Sequence, residues 1–406
     1  MVTVELADIR AAADVLEGVI RRTPVELSRS LGRRVGGDVW LKCENLQRTG
    51  SFKIRGAYVR IARLSAAERR AGVVAASAGN HAQGVALAAE MLDTPAVVFM
   101  PEGAPIPKVQ ATRDYGAQVR FAGATVDDAL DAATTYAEQT GSVLIHPFDH
   151  PDVIAGQGTV GLELVEQVPD VRTIVVSAGG GGLVSGVAVA AKASRPDVQV
   201  VAVQADGAAA IAPSLAAGHP VPLETMSTMA DGIAVGCPGA LPLALIDQHV
   251  DEVRTVSEDA LARALLLCLE RAKLVVEPAG AAGVAHVMEH ADGLEAPIAV
   301  VLSGGNVDPL LMMRVLRHGM TAAGRYLSFH VRVPDRPGEL ARLLAELAAT
   351  GANVLDVEHS RTGRAMHLDE VEVHLVLEMR GDAHREEVLS RLRAAGYALS
   401  VDAVSD

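Results

Sequence analysis

The chain has 406 residues, half of them hydrophobic and only 3% aromatic, with a formal net charge of -14. That length suits two or three domains with an ample core, while the acidic balance and scarce stacking groups argue against nucleic-acid or anionic-membrane partners. Three distant cysteines, Cys43, Cys237 and Cys268, without a CxxC pair, exclude a disulfide framework or zinc knuckle and read as reduced thiols.

Residues 4–20 have helical spacing and carry Glu5, Asp8, Arg10 and Asp14 instead of a basic-then-apolar leader. No apolar run reaches the ~20 residues of a membrane span, so a soluble, cytoplasmic protein is expected. A short strand at 39–42 precedes the stretch Thr49-Gly50-Ser51-Phe52-Lys53-Ile54-Arg55-Gly56-Ala57, and helical spacing resumes over 54–64. Strands at 73–76, 96–100 and 118–121 then alternate with helices at 82–91 and 108–114, and the rhythm returns with strands at 173–176, 198–203 and 297–302. Short, almost purely aliphatic strands alternating with helices predict a parallel α/β sheet covered on both faces. Near 320 the pattern changes. Residues 321–325 read as a linker, and 326–406 as β-α-β-β-α-β, a ferredoxin-like second domain with strands from 327, 354, 371 and 397 and helices at 339–349 and 384–395.

Ligands in open α/β sheets gather where strands end. After the strand at 173–176 comes Ser177-Ala178-Gly179-Gly180-Gly181-Gly182-Leu183, whose glycines expose backbone N–H groups at the start of a helix. Its spacing fits neither the dinucleotide fingerprint nor the P-loop, which points to a small phosphate. Ser77-Ala78-Gly79-Asn80-His81 suits a carboxylate, with the Asn80 amide in reach of a phenolic oxygen, but alone it reads equally as a helix cap. Ser303-Gly304-Gly305-Asn306 offers a neutral hydroxyl to a cofactor's edge or is only a turn. Lys53, beside Phe52 and an apolar helix, can be held partly out of water, which frees its amine as a nucleophile or base; a lysine alone is more often a solvated surface charge.

Together these four motifs, in this order, resemble the threonine ammonia-lyases, pyridoxal-phosphate enzymes of the tryptophan-synthase β-like fold, over almost all of residues 1–320. The resemblance implies a small subdomain at roughly 52–145 inserted in a catalytic domain of 1–320. It implies Lys53 as Schiff-base lysine and Cα base, with Phe52 beside the ring, and Gly179, Gly180, Gly181, Gly182 and Leu183 at the phosphate. Asn80 is placed at the ring 3-oxygen, Ser303 at the pyridine nitrogen and Glu277 near the cofactor. Ser77, Gly79, Asn80 and His81 are placed in the loop receiving the substrate carboxylate. The expected reaction converts L-threonine to 2-oxobutanoate and ammonia at the head of isoleucine synthesis, with L-serine a side substrate and the cofactor phosphate protonating the leaving hydroxyl.

Serine racemase or serine dehydratase of the same fold is one alternative, and a sensor that has lost catalysis is another. Racemase cation sites use carboxylates after a strand like 198–203; here Gln204 and Ala210 take those places beside Asp206, so no metal is expected. The tail, with Asp335-Arg336-Pro337-Gly338-Glu339-Leu340, resembles a single ACT domain. By that resemblance isoleucine or valine binds near Asp335, Pro337, Gly338, Leu340 and Asn353, in a homodimer or homotetramer.

Overall fold

Aliphatic runs of four to seven residues are too short for stable helices and become buried strands once helices cover both of their faces. The computed structural model describes residues 3–361 and 369–401. It divides into two compact units, Met1–Pro309 and Leu310–Asp406. The strands of the first unit are β1 (Val25–Leu27), β2 (Val39–Lys42), β3 (Val73–Ala76), β4 (Ala96–Met100), β5 (Gln118–Phe121), β6 (Val143–Leu144), β7 (Thr173–Ser177), β8 (Gln199–Ala205), β9 (Glu252–Val256) and β10 (Ile298–Val301).

They form a six-stranded sheet, β1-β2-β10-β7-β8-β9, and a four-stranded sheet, β5-β4-β3-β6. Every pairing is parallel except that of β1 with β2. The small sheet draws only on residues 73–144, while the large one takes strands from both sides of that stretch. On one face of the large sheet, Ile174, Val176, Val200, Ala202, Ala299 and Val301 pack on Val184, Val187 and Ala191 of the helix Gly182–Ser194. Parallel pairing sends β3, β7 and β10 to end in the three loops singled out above. An isolated antiparallel bridge between Ser51 and Gly304 ties the Lys53 turn to the loop after β10.

The second unit has strands β11 (Tyr326–Pro334), β12 (Asn353–Ser360), β13 (Glu370–Glu378) and β14 (Leu399–Val401), with helices Glu339–Ala348 and Asp382–Ala394 in the expected β-α-β-β-α-β order. Its antiparallel sheet runs β12-β13-β11-β14. Leu327, Phe329, Val331 and Val333 alternate inward and meet Leu343, Leu347, Val388 and Leu392 from the helices. The stretch 321–325 differs from a free tether. Thr321 and Ala322 complete the helix Pro309–Ala322, and Gly324 turns the chain at φ 64° straight into β11. Among the described residues no helix is long and apolar enough to cross a membrane.

Candidate active site

The ends of β3, β7 and β10 open on one cleft of about 720 Å³. Phe52, Lys53, Ser77, Gly79, Asn80, His81, Gly179 through Leu183, Glu277 and Ser303 all line it. Residues up to 251 positions apart in sequence thus share one site, from Phe52 to Ser303.

Lys53 is the first residue of the helix Lys53–Ala62. The turn before it is stitched to the loop after β10: the Phe52 N–H donates to the Ser303 carbonyl (3.1 Å) and the Gly305 N–H to the Gly50 carbonyl (2.8 Å). Asn306 Nδ2 donates to the Thr49 carbonyl at 2.6 Å. Lys53 Nζ donates to the Pro147 carbonyl at 2.9 Å and lies 5.2 Å from the Phe52 ring centroid. Burial draws its pKa down to about 8, against the opposing pull of Glu277. This is the desolvated amine that a carbonyl-binding lysine needs.

The glycine loop forms the facing wall. Gly181 takes φ 95°, a conformation natural to glycine, and the helix Gly182–Ser194 starts at the next residue. A Cβ on Gly180 would stand 2.5 Å from the Phe148 ring, so only hydrogen fits between loop and aromatic. Among the described residues no protein acceptor takes the N–H of Gly179, Gly180, Gly181 or Gly182. Four free donors at a helix N-terminus match the acceptor-rich oxygens of a phosphate.

A family model described as pyridoxal-phosphate dependent enzyme matches residues 16–304. The chain belongs to that family. A second model, the ACT domain, matches residues 327–396. The L-threonine ammonia-lyase of Thermotoga maritima is 47% identical over 401 residues, covering 99% of this chain and 100% of that protein. Among solved structures, the T.th. threonine deaminase shares 42% identity at a TM-score of 0.72, over 75% of this chain and 99% of that one. Maize serine racemase shares 38% identity at a TM-score of 0.74, over 77% of this chain and 97% of that one.

The residues present fit the cofactor of this pyridoxal-phosphate family. Free glycine amides suit its phosphate, the desolvated Lys53 amine its aldehyde, and a neutral hydroxyl its ring nitrogen. That hydroxyl, Ser303 Oγ, is 3.1 Å from Ser177 Oγ. Glu277 is buried, and its pKa is pushed up to about 7 by burial and by the charge of Asp231, with Lys108, Asn80 and Lys53 opposing. Asn80 Nδ2 donates to Glu277 Oε1 at 2.5 Å, while Asn306 Nδ2 donates to Asn80 Oδ1 at 2.8 Å. The Asn80 amide is therefore fixed from both ends.

The loop after β3, expected to receive the substrate carboxylate, carries no acidic or basic side chain other than His81. Ser77 Oγ accepts from the Gly79 N–H at 3.1 Å. His81 lines the cleft with this loop, and its Nε2 is 2.7 Å from the Ile145 carbonyl and so donates to it. Burial drives its pKa down to about 3. The imidazole is thus a neutral brace for the loop.

Sequence reasoning passed over four contributors to the cleft. Phe148 and Asp149 follow β6, and Asp149 accepts from the Ala240 and Leu241 N–H groups at 3.1 and 3.2 Å, capping the helix Ala240–His249 beside the glycine loop. Lys108 and Asp231 form an ion pair that lines the cleft. Lys108 stood inside a helix already noted, whereas Asp231 lies in an irregular stretch without periodic signal.

In the second unit, Asp335 pairs with Arg361 at 3.1 Å, and Gly338 at φ 93° opens the helix that carries Leu340. Asn353 is not gathered with them. It pairs across the sheet with Glu378, whereas Pro334, next to Asp335, is opposite Glu370 at the other end of β13. After β8, Gln204 is engaged with the backbone, donating to the Ala208 carbonyl (3.2 Å) and accepting from the Ile211 N–H (3.0 Å).

Proposed function

We propose that the chain is an L-threonine ammonia-lyase that converts L-threonine to 2-oxobutanoate and ammonia and takes L-serine as a second substrate. The observation that carries this reading is the lowered-pKa Lys53 amine sharing one cleft with four free glycine amides. Lys53 Nζ would hold the cofactor covalently, Gly179–Gly182 its phosphate, Asn80 its 3-oxygen and Ser303 its ring nitrogen. When bound, pyridoxal phosphate withdraws electrons from the substrate Cα and so acidifies its proton.

Lys53 Nζ takes that proton, as the amine whose pKa burial draws down to about 8. The Ser77–Asn80 loop seats the substrate carboxylate and so aims Cα at Nζ. Phe52 and Phe148 keep the reacting end dry. Loss of the β-hydroxyl as water, and hydrolysis of the released product, leave 2-oxobutanoate and ammonia. Losing one methyl discriminates by only ~1–3 kcal/mol, which is why serine remains a substrate. The full-length ammonia-lyase relative supports this reading over racemisation, as does Gln204 where a racemase carries a carboxylate.

Steady-state release of ammonia and 2-oxo acid from threonine and serine tests the proposal, with the visible absorbance of the holoenzyme as a second readout. Lys53→Ala should abolish both turnover and the band. A wild-type protein that shows the band but deaminates neither amino acid would leave the sensor alternative standing instead.

Isoleucine or valine is proposed as the effector of the second unit, near Asp335, Pro337, Gly338 and Leu340, with the reaction serving isoleucine synthesis. The assembly is proposed to be a homodimer or homotetramer, to be read by sedimentation.

A further inference from the structure

An amino acid entering the cleft brings a carboxylate, and a buried carboxylate is costly unless it meets a cation or several donors. Among the described residues lining the cleft, the only lysines or arginines are Lys53 and Lys108. Lys53 is committed to the cofactor and the Cα proton. His81 is neutral, and burial likewise lowers the pKa of His146.

Lys108 belongs to the helix Ile106–Asp114, whose Val109 packs on Ala82 and Ala86 of the helix Asn80–Met91. Its side chain is only 10% exposed. It extends over the loop after β3, where a Cβ built on Gly79 would have Lys108 Nζ as its nearest neighbour, at 3.8 Å. There Nζ is paired with Asp231, whose side chain is 51% exposed.

We propose that Lys108 is the substrate-recognising cation of this site, exchanging Asp231 for the α-carboxylate seated on the Ser77–Asn80 loop. The inference rests on the amino-acid lyase reading above. It explains two features together. Gly79 leaves open the space directly beneath Nζ, and a half-exposed Asp231 holds the amine aimed but loses little when water replaces it. A lysine suits such an exchange, being a compact charge on a flexible stem.

The test compares holoenzymes of wild type, Lys108→Met, Lys108→Arg and Asp231→Asn. KM and kcat are measured with L-threonine, and the Kd of L-alanine, which has no β-hydroxyl to lose, is read from the visible absorbance. A charge-assisted contact predicts that Lys108→Met raises both KM and the L-alanine Kd by roughly 10- to 100-fold. The same variant should keep kcat within about threefold, since the contact is made equally before and during reaction. Lys108→Arg should recover most of the loss, and Asp231→Asn, which removes the competitor, should leave Kd unchanged or tighter.

An unchanged L-alanine Kd in Lys108→Met would overturn the proposal. So would parallel losses in Lys108→Met and Asp231→Asn, the mark of a pair that merely braces the cleft. If the wild type binds L-alanine in this Lys108-dependent way yet never turns over threonine, the lyase reading fails and the cation assignment stands.

Discussion

Glu277 and Lys53 are held in unusual protonation ranges by the same cause, loss of water around a charged group. Each leaves a mark on stability. The Glu277 carboxyl keeps its proton up to about 7 when folded, against an ordinary value of 4.5. Between those values the folded chain binds more protons than the unfolded one, so stability falls as pH rises through that window, by up to roughly 3 kcal/mol. Lys53 gives up its proton near 8 when folded, against 10.5 when free. Between those values the unfolded chain binds more protons, and stability rises with pH. Urea unfolding of the cofactor-free protein at a series of pH values checks both slopes. Glu277→Gln should flatten the acidic one and Lys53→Met the alkaline one. A Glu277→Gln profile parallel to wild type across the acidic window would show that the carboxyl ionises freely in the fold.

The helix Lys53–Ala62 is set in place by its third residue. Arg55, fully buried, donates Nε and Nη2 to both oxygens of Glu44 (2.8 and 2.7 Å) and Nη1 to Glu163 (2.6 Å) and Thr159 (3.0 Å). Lys42 from β2 balances the second carboxylate through its own bond to Glu163. Two cations and two anions cancel, so the cluster is tolerable as a whole and intolerant of losing one member. Arg55→Met should destabilise the first unit by about 3–5 kcal/mol, because Glu44 is left buried and charged. Adding Glu44→Gln should restore part of that loss; a double variant as unstable as the single one would refute the unpaired-charge explanation. None of this cluster was legible in the sequence, where Lys42, Glu44, Arg55 and Glu163 are ordinary charged residues. Such charges normally mark solvated faces, and here they are brought together from β2, the turn after it, and the helices Lys53–Ala62 and Pro151–Gln167. What was legible had local causes. Aliphatic runs such as Thr173–Ser177 can only be buried strands, and four successive glycines between a strand and a helix have few other uses. The edge strand Glu252–Val256 escaped because two charges interrupt its short alternation. The partner of His81 was not legible either, because its carbonyl acceptor, Ile145, is supplied from a distant loop.

At the scale of the molecule, the question is whether the two units exchange free energy. Each has a hydrophobic core of its own. Regulation by an amino acid in the second unit then has to appear as a coupling, typically 1–3 kcal/mol or about 5- to 150-fold in affinity, and it must be reciprocal. If isoleucine or valine weakens threonine binding by some factor, threonine must weaken effector binding by the same factor. Deleting residues 325–406 should abolish the response and leave turnover. Within the full chain, Asp335→Ala frees Arg361 and alters the turn ahead of the helix Glu339–Ala348, so it should weaken effector binding measured by calorimetry. Asn353→Ala, at the opposite end of β13, should leave effector affinity unchanged if one chain supplies the whole site. Loss of affinity in Asn353→Ala as well as Asp335→Ala would mean that two chains build the site together, since the sheet holds these residues apart within one chain. Undiminished inhibition of the truncated enzyme would place the effector in the first unit and end the case for a sensing role of the second.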